Sequence, residues 1–432
     1  MYFRGTNLGP TANRETAAGM SSSDTTITLM YQDTPTSPFL EFQATGCQLD
    51  RTKGDNTVVR CTSVPGVGSN LGLMMTVSVN YPEGTRVCVA SVFGHPSAKV
   101  SYEAPEITGM VDHIGMPTNG TTSVTITGEN FGPLADYNVL TARYGKTATE
   151  YQTECLLTQS NTQMECQVVP GVGKDLKWSV VVGGASSTPF GPSSYAVPHV
   201  QQLSGTLVMN TRGAETVTLS GRDFGPLGTP VAATYGQGTC TEYTATACTV
   251  LEAHTKASCK TVPGVGKDLQ WCITVGEQTS DPSEPTTRYS TPVITKVLGA
   301  GTSRARTEGG DYILLQGDFF GPLDTDDFSY MVVEYGPSAQ EYVAVNCALR
   351  TPHTQIECLT APGTGKDHSW RLWIDGQWSA VNPAMTSYAA PVVGYYEGPG
   401  ETDADTRGSQ AVTLLGENFG TAASDKLEKV CT

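Results

Sequence analysis

Residues 170–178 read PGVGKDLKW, residues 263–271 read PGVGKDLQW, and residues 362–370 read PGTGKDHSW. A weaker copy, PGVGSNLGL, occupies residues 65–73. Internal repeats are tested first in such a chain, because a fixed period is the signature of a repeated structural unit. The recurrence of this phrase therefore indicates that the chain is built from copies of one unit.

Two further phrases repeat in register with the first. A glycine-rich phrase begins at Gly128 (GENFGPL), Gly221 (GRDFGPL), Gly317 (GDFFGPL) and Gly416 (GENFG), with a degenerate GTNLGP at Gly5. A proline-terminated phrase ends at Pro105 (SYEAP), Pro198 (SYAVP), Pro292 (RYSTP) and Pro391 (SYAAP). The steps between these prolines are 93, 94 and 99 residues. A period of about 95 residues is the size of one small domain, so each copy should have its own core.

The phrases divide the chain into five segments. We expect complete repeats at residues 105–197, 198–291 and 292–390, an N-terminally incomplete repeat with insertions at 1–104, and the start of a further repeat at 391–432. The two incomplete ends suggest a window on a longer array. An alternative is that residues 391–420 of one chain complete the first repeat of the next chain by strand donation.

Composition and patterning predict an all-β fold. The chain has 47 Gly and 26 Pro, and only 16% of its residues are charged. Short alternating runs end in glycine, as in TSVTITG at 122–128, ETVTLSG at 215–221 and DYILLQG at 311–317. Many short strands with regularly spaced turn signals are typical of a β-sandwich.

The repeated phrases have a local explanation as turns. In the glycine-rich phrase, Asn130 is expected to bond its own backbone in an Asx turn. The phenylalanine of that phrase should anchor the loop to the core, at Phe131, Phe224, Phe320 and Phe419. The tryptophan that ends PGxGKDxxW should open a strand as an apolar anchor, at Trp178, Trp271 and Trp370. The alternative for these tryptophans is an exposed carbohydrate-binding platform. The Lys-Asp pairs between them are expected to be exposed turn charges.

The cysteines carry the strongest chemical signal. Twelve are present, and four pairs recur in register. These pairs are Cys47 with Cys61, Cys155 with Cys166, Cys248 with Cys259, and Cys347 with Cys358. We predict one hairpin disulfide in each repeat, stabilising it by about 3 kcal/mol in the chain-entropy model. Zinc is the alternative, but it needs four ligands, and no second Cys or His pair recurs.

The other four cysteines do not repeat. Cys240 and Cys272 lie in one repeat and have no counterparts in its neighbours, which suggests a private second bridge. Cys88 and Cys431 are left over, and each could pair outside this stretch or between subunits. Chains rich in disulfides belong to oxidising compartments, so we expect an extracellular or cell-surface location.

The order strand, G-x-[ND]-F-G, Cys…Cys, P-G-x-G, strand resembles the IPT/TIG repeat, an immunoglobulin-like domain of plexins, fibrocystin-like surface proteins and some transcription factors. The resemblance covers nearly the whole chain. It implies sandwiches of about seven strands arranged head to tail, and the paired cysteines match the extracellular branch of the family. The first repeat departs from the pattern: it has Leu8 for the phenylalanine, lacks the tryptophan, and carries extra residues near 10–25 and 80–95.

Several function classes are disfavoured. The formal net charge is -16 and no basic stripe is present, so nucleic acid is not an expected partner. No apolar run is long enough to span a membrane.

The six histidines share no position across all repeats, and catalytic motifs such as G-x-S-x-G and H-E-x-x-H are absent, so we expect no enzyme activity and no cofactor. Ca²⁺ has weak support from the acidic cluster Asp324, Asp326 and Asp327, which resembles no EF-hand loop.

Glycosylation is expected at two places. Asn119 begins the sequon Asn119-Gly120-Thr121. Thr34, Thr36 and Ser37 lie in a Ser/Thr/Pro cluster of the kind that carries O-glycans, or that forms a plain loop.

Two function classes remain. The first is a semi-rigid extracellular rod or glycosylated filament, in which the partner is another copy of the chain or the neighbouring repeats of a longer one. Short proline-bearing junctions favour it. The second is an adhesin or receptor ectodomain that binds a surface protein or a glycan. The first repeat with its insertions, and Trp373 and Trp378 in the repeat 292–390, are the candidate recognition elements.

Overall fold

A computed structural model describes residues 2–4, 25–33, 40–50, 58–80, 86–93, 98–323 and 331–420. The chain divides into two compact units, Met1–Val197 with Gly276–Gln278, and Pro198–Val275 with Thr279–Thr432. The regular secondary structure of the described residues is β-strand, as the sequence predicts, apart from one short 3-10 turn at Ala300–Thr302. Among the described ranges there is no helix long and apolar enough to cross a membrane.

The first sandwich lies within residues 1–104. Its described strands are β1 Tyr2–Arg4, β2 Thr25–Gln32, β3 Glu41–Gln43, β4 Thr45–Leu49, β5 Val58–Thr62, β6 Leu71–Asn80, β7 Arg86–Phe93 and β8 Lys99–Val100. They form a sheet β1-β5-β4 and a sheet β3-β2-β6-β7, with β8 on β6.

The second sandwich lies within residues 105–197. Its strands are β9 Glu106–Val111, β10 Ile114–Met116, β11 Ser123–Glu129, β12 Leu140–Gly145, β13 Tyr151–Gln159, β14 Gln163–Gln167, β15 Leu176–Val182, β16 Ala185–Ser186 and β17 Phe190–Tyr195. Strand β13 pairs with both β12 and β14, so both layers belong to one ladder, in the order β10-β17-β15-β12-β13-β14-β11-β9.

The third sandwich lies within residues 198–291. Its strands are β18 His199–Gly205, β19 Val208–Met209, β20 Thr216–Arg222, β21 Val231–Gln237, β22 Tyr243–Thr244, β23 Thr246–Glu252, β24 Lys256–Lys260, β25 Leu269–Val275, β26 Gln278–Thr279 and β27 Thr286–Tyr289. One layer is β18-β20-β24-β23 and the other is β19-β27-β25-β21-β22, with β26 on β25.

The fourth sandwich, within residues 292–390, repeats this arrangement. Its strands are β28 Val293–Leu298, β29 Ser303–Ala305, β30 Tyr312–Asp318, β31 Met331–Gly336, β32 Tyr342–Val343, β33 Val345–Thr351, β34 Gln355–Leu359, β35 His368–Ile374, β36 Gln377–Trp378 and β37 Asn382–Tyr388. Its layers are β28-β30-β34-β33 and β29-β37-β35-β31-β32, with β36 on β35. Beyond it, β38 Val392–Glu397 and β39 Thr413–Glu417 form a two-stranded ladder.

Each tryptophan of the repeated phrase is a core residue. Trp178, Trp271 and Trp370 are fully buried. The indole of Trp178 stacks on Tyr144 with ring centroids 4.0 Å apart, and its Nε1 donates to Ser193 Oγ at 2.8 Å. Because the ring is buried and its only donor is satisfied, the packing interpretation holds and the alternative of an exposed sugar platform at these three positions is wrong.

The glycine-rich phrase anchors its loop as expected, but by a different bond. Phe131, Phe224 and Phe320 are buried, whereas Phe419 is 39% exposed. Asn130 has a left-handed backbone with φ of 62°, which asparagine tolerates. Its Nδ2 donates to the carbonyl oxygen of Ala104 at 3.2 Å, so it ties the loop to the segment that enters the sandwich. The amide of Gly132, which an Asx turn at Asn130 would need, donates instead to Asn161 Oδ1 at 3.3 Å, so the predicted Asx turn is wrong.

Candidate functional site: the joints between sandwiches

The PGxG loop of each complete sandwich is held by tyrosine hydroxyls. In the third sandwich, the hydroxyls of Tyr235 and Tyr289 lie 2.7 Å apart, and Tyr289 donates to the carbonyl oxygen of Val262 at 2.6 Å. Tyr243 donates to the carbonyl oxygen of Val265 at 3.0 Å and accepts from its amide at 3.2 Å. The second and fourth sandwiches contain the same bonds, made by Tyr144, Tyr195 and Tyr151, and by Tyr335, Tyr388 and Tyr342.

Burial fixes the protonation of these tyrosines. It raises the pKa of Tyr243 to about 12 and raises the pKa of Tyr289 further. The hydroxyls therefore stay protonated near neutral pH, and they remain available as donors to the loop carbonyls. The first sandwich differs, because Phe42 stands where the others have the third tyrosine and has no hydroxyl to offer Val67.

The loop does more than reverse the chain, because its third residue reaches into the next sandwich. We name the contact between the third and fourth sandwiches the Val265 joint. Val265 packs against the core of the fourth sandwich. Its Cγ1 lies so close to Gly321 that a Cβ there would be 2.5 Å away. Gly321 is the second glycine of the repeated GDFFG phrase, so the two repeated phrases fit each other across the joint.

A buried glutamine latches the Val265 joint. Gln377, the first residue of β36, is 8% exposed. Its Nε2 donates to the carbonyl oxygens of Gly266 and Tyr289, each at 3.1 Å, and its Oε1 accepts from Thr291 Oγ1 at 3.4 Å. All three partners belong to the third sandwich or its exit, so this one side chain fixes the loop, the last strand and the linker together.

A histidine makes a second polar contact at the Val265 joint. Nδ1 of His353 lies 2.9 Å from Thr211 Oγ1, and Thr211 is fully buried. Burial, and then the guanidinium of Arg212, lower the pKa of His353. Arg212 itself lies 3.9 Å from Asp318. His353 lies at the tip of the β33–β34 hairpin, and this tip contacts the preceding sandwich.

The corresponding contact between the first and second sandwiches is the Val67 joint. Val67 is 3% exposed and lies against Gly132, the counterpart of Gly321. Phe42 meets Tyr137 edge to face with centroids 5.6 Å apart. Gly183 has a φ of 54°, and a Cβ on it would lie 2.7 Å from the Cα of Gly68. This joint is therefore closed by apolar contact and by direct approach of two backbones.

The Val67 joint lacks the glutamine latch. Ala185 occupies the position of Gln377, and a cavity of about 70 Å³ opens beside it. The cavity is lined by Gly66, Gly68, Tyr102, Asn130, Asn161 and Ala185, among others. The carbonyl oxygen of Gly68 accepts from the amide of Tyr102 at 2.9 Å, the bond that Gly266 also makes with Tyr289.

Ten of the twelve cysteines are joined as five disulfides. The repeated pairs bridge neighbouring strands, as for Cys155 and Cys166, which face each other in the β13–β14 ladder with Cα atoms 4.2 Å apart. The bonds are Cys47–Cys61, Cys155–Cys166, Cys248–Cys259, Cys347–Cys358 and Cys240–Cys272. Because both sulfurs of each pair are bonded to each other, these ten side chains cannot ligate zinc. The side chains of Cys88 and Cys431 lie outside the described part of the chain.

The other predicted site residues are only partly covered by the described ranges. Asn119 lies on an exposed turn, where its Oδ1 accepts from Thr121 Oγ1 at 2.9 Å. Thr34, Thr36 and Ser37, and the acidic cluster Asp324, Asp326 and Asp327, lie outside the described residues. Of the two candidate recognition tryptophans, Trp373 is half-buried and Trp378 is 40% exposed.

Sequence reasoning missed Gln377, Thr211 and the tyrosine set. The tyrosines did carry a signal, since each repeat has one in its last strand, within the SYEAP-type phrase. Gln377 carried none, because its partners are main-chain carbonyls of another sandwich.

Comparison with known proteins identifies one part of the chain by family. The family model for the IPT/TIG domain matches residues 111–197. No curated protein matches the sequence. Among solved structures, the extracellular region of plexin A4 is 14% identical with a TM-score of 0.22, over 87% of this chain and 34% of that one.

Two further solved structures show similar likeness. The surface glycan-binding protein PbSGBP-B from Prevotella bryantii is 13% identical with a TM-score of 0.31, over 50% of this chain and 53% of that one. The eight N-terminal Ig domains of Down Syndrome Cell Adhesion Molecule are 9% identical with a TM-score of 0.18, over 91% and 55%. At these identities the likeness concerns the fold alone. The chain spans about a third of the plexin chain that it matches.

Proposed function

We propose that this chain, whose residues 111–197 are an IPT/TIG domain, is a structural extracellular protein: a tandem array of immunoglobulin-like sandwiches that forms a semi-rigid rod or a glycosylated filament. The repeat boundaries predicted from the sequence, at residues 105, 198, 292 and 391, are part of this proposal. The observation that carries it is the Val265 joint, where a repeated loop inserts a valine and receives a glutamine latch.

The joints support stiffness for a physical reason. Interdomain motion is the default where linkers are slack and interfaces are small. Here Thr291 leads directly into Pro292, and Thr291 itself bonds to Gln377. Bending at this joint would have to break buried hydrogen bonds to two carbonyl oxygens, each worth about 1 kcal/mol net.

Location and modification follow from the covalent chemistry. Five disulfides in a chain of this size favour an oxidising compartment, outside the cell or at its surface. The exposed turn at Asn119 is accessible to N-glycosylation, and we retain Thr34, Thr36 and Ser37 as candidate O-glycosylation sites. We further propose that the chain has no catalytic activity and that its main partners are copies of itself or neighbouring repeats.

Electron microscopy of the native material tests the proposal, with intact mass of the same sample before and after deglycosylation. Long uniform fibres whose mass falls on deglycosylation are the expected result. Dispersed single particles that carry little sugar would contradict the structural role.

A recognition function is the second candidate, and one observation favours it. Trp378 is 40% exposed on a sheet face where the second and third sandwiches carry no tryptophan. An adhesin or receptor ectodomain of this fold would bind its protein or glycan through such an atypical sandwich.

A further inference from the structure

The outer face of one sheet in the fourth sandwich carries side chains that its neighbours lack. Trp373 on β35 faces Trp378 on β36 across the ladder, and Arg371 faces Glu334 on β31 in the next row. In the third sandwich the two tryptophan positions hold Thr274 and Thr279, and in the second they hold Val181 and Ser186. The four residues Glu334, Arg371, Trp373 and Trp378 are named here the tryptophan face.

Three of these side chains form one connected group. Nε of Arg371 donates to Glu334 Oε2 at 2.7 Å, and its Nη2 donates to the same oxygen. The guanidinium carbon lies 4.0 Å from the ring centroid of Trp378, within the range of a cation–π contact. The pair is partly shielded, with 22% of the Arg371 side chain and 18% of the Glu334 side chain exposed. The indole is therefore held in a fixed orientation by a neutralised ion pair.

The group presents a flat apolar surface beside unused polar atoms. The guanidinium covers one face of the Trp378 ring, and 40% of this residue remains exposed. Arginine has five N–H donors and a carboxylate can accept at both oxygens, but the bonds between Arg371 and Glu334 involve only Nε, Nη2 and Oε2. Because the guanidinium lies over one face of the ring, these unused atoms are on the covered side, and the opposite face of the indole is the one open to a ligand.

We propose that the tryptophan face is a saccharide-binding subsite that takes a neutral pyranose ring of a glycan. A pyranose has one face of C–H groups, which packs on an indole, and a rim of hydroxyls, which both donate and accept hydrogen bonds. Trp378 is the stacking platform through its ring face opposite Arg371, and the Arg371–Glu334 pair supports the ring on its covered face. The inference rests on the second candidate function, whose ligand class it specifies, and it does not depend on the structural role.

A neutral sugar fits this face better than a protein partner does. Stable protein interfaces bury about 800 Å² on each partner, much more than the exposed part of one tryptophan provides. Here an ion pair lies next to the single exposed indole. The mutual neutralisation of Arg371 and Glu334 also disfavours an acidic ligand such as a sulfated or carboxylated sugar.

The test uses saturation-transfer difference NMR on the full chain with cellobiose, lactose, maltose and mannobiose. The expected result is saturation of the ring protons of at least one disaccharide. Trp378→Ala should weaken binding at least about tenfold, equivalent to about 1.4 kcal/mol. Trp378→Phe should weaken it less because a ring remains, and Glu334→Gln should also weaken it less than Trp378→Ala, because it loosens Arg371 under the indole without removing the platform.

A matched control is Tyr312→Ala, which removes an aromatic side chain with 37% exposure on β30 of the same sandwich. It should leave the saturation signal unchanged. Thermal unfolding of each variant checks that the fourth sandwich is folded. Absence of saturation for all four disaccharides, or equal binding by wild type and Trp378→Ala, would overturn the proposal. The proposal would also be overturned if Trp378→Ala bound every sugar as the wild type does but lost self-association in sedimentation. That result would assign the face to a protein contact.

Discussion

The Val67 joint and the Val265 joint use the same valine but close differently. In both, the third residue of a PGxG loop lies against the second glycine of the GxxFG phrase. The Val265 joint adds Gln377 and His353, whereas the Val67 joint has Ala185, a cavity of about 70 Å³ and a glycine pressed against the opposing backbone. The comparison teaches that the repeated loop supplies a constant apolar contact, and that the variable turn after the tryptophan strand sets how tightly each joint is held.

The largest expected effect comes from exchanging the residues at one turn position. Gly183 in the Val67 joint and Asp375 in the Val265 joint occupy equivalent positions. Gly183→Asp gives the Val67 joint the residue of the Val265 joint, and the new Cβ would lie 2.7 Å from the Cα of Gly68. Because backbone cannot move aside as a side chain does, we expect a loss of about 1–3 kcal/mol. Hydrogen-exchange mass spectrometry of peptides over residues 65–71 and 181–187 measures it.

The reverse exchange is the control. Asp375→Gly removes a side chain from the Val265 joint without creating a collision, so protection of residues 263–269 should fall by less. Equal protection of the Val67 joint in wild type and Gly183→Asp would show that the two backbones do not touch in solution.

Removing the latch should have the next largest effect. Gln377→Ala deletes two hydrogen bonds to carbonyl oxygens and leaves a cavity like that beside Ala185, so we expect the Val265 joint to weaken by about 1–2 kcal/mol. Exchange at residues 263–269 should rise, while the core strand Leu269–Val275 should keep its protection. Unchanged exchange in the loop would mean that Gln377 is not needed to hold the joint.

A smaller effect is expected when the pH is changed, and it acts at the Val265 joint. The pKa of His353 is lowered in the folded chain, so the unfolded state binds the proton more readily. The contribution of neutral His353 is therefore complete above about pH 6.5 and is lost as pH falls from there through the folded pKa.

The comparison variant is His353→Asn, since Asn161 holds the same hairpin position in the second sandwich. Thermal unfolding of both proteins from pH 7.5 to pH 5 should show a steeper loss for wild type. Parallel curves would exclude His353 as the titrating group.

The smallest effect is a gain. Ala185→Gln should fill the cavity of the Val67 joint and reach the carbonyl oxygens of Gly68 and Tyr102, adding about 1 kcal/mol. Denaturant unfolding of the full chain measures the gain, and Ala185→Leu serves as a control that fills space without hydrogen bonds. If both variants stabilise equally, filling the cavity rather than latching the carbonyls explains the result.

Much of the fold was predictable because it rests on local chemistry. The period of the proline-terminated phrases, the alternating strands and the buried role of Trp178 follow from patterns within one repeat. The joint was not predictable, because Gln377 and His353 act on main-chain and hydroxyl groups of another sandwich. The Asx turn expected at Asn130 failed because the amide of Gly132 bonds to Asn161 Oδ1, a partner that is distant in the sequence.

The central claim is that the PGxG loop joins sandwiches, and pulsed electron–electron distance measurement at the Val265 joint tests it most directly. Spin labels are attached through a ketone-bearing amino acid at Thr241 and Gln340, exposed residues at equivalent places in the third and fourth sandwiches, so the disulfides are left intact. The account predicts a narrow distance distribution in the wild-type background and a broad one in Val265→Ser, with both sandwiches still folded. Equally broad distributions in the two proteins would contradict it.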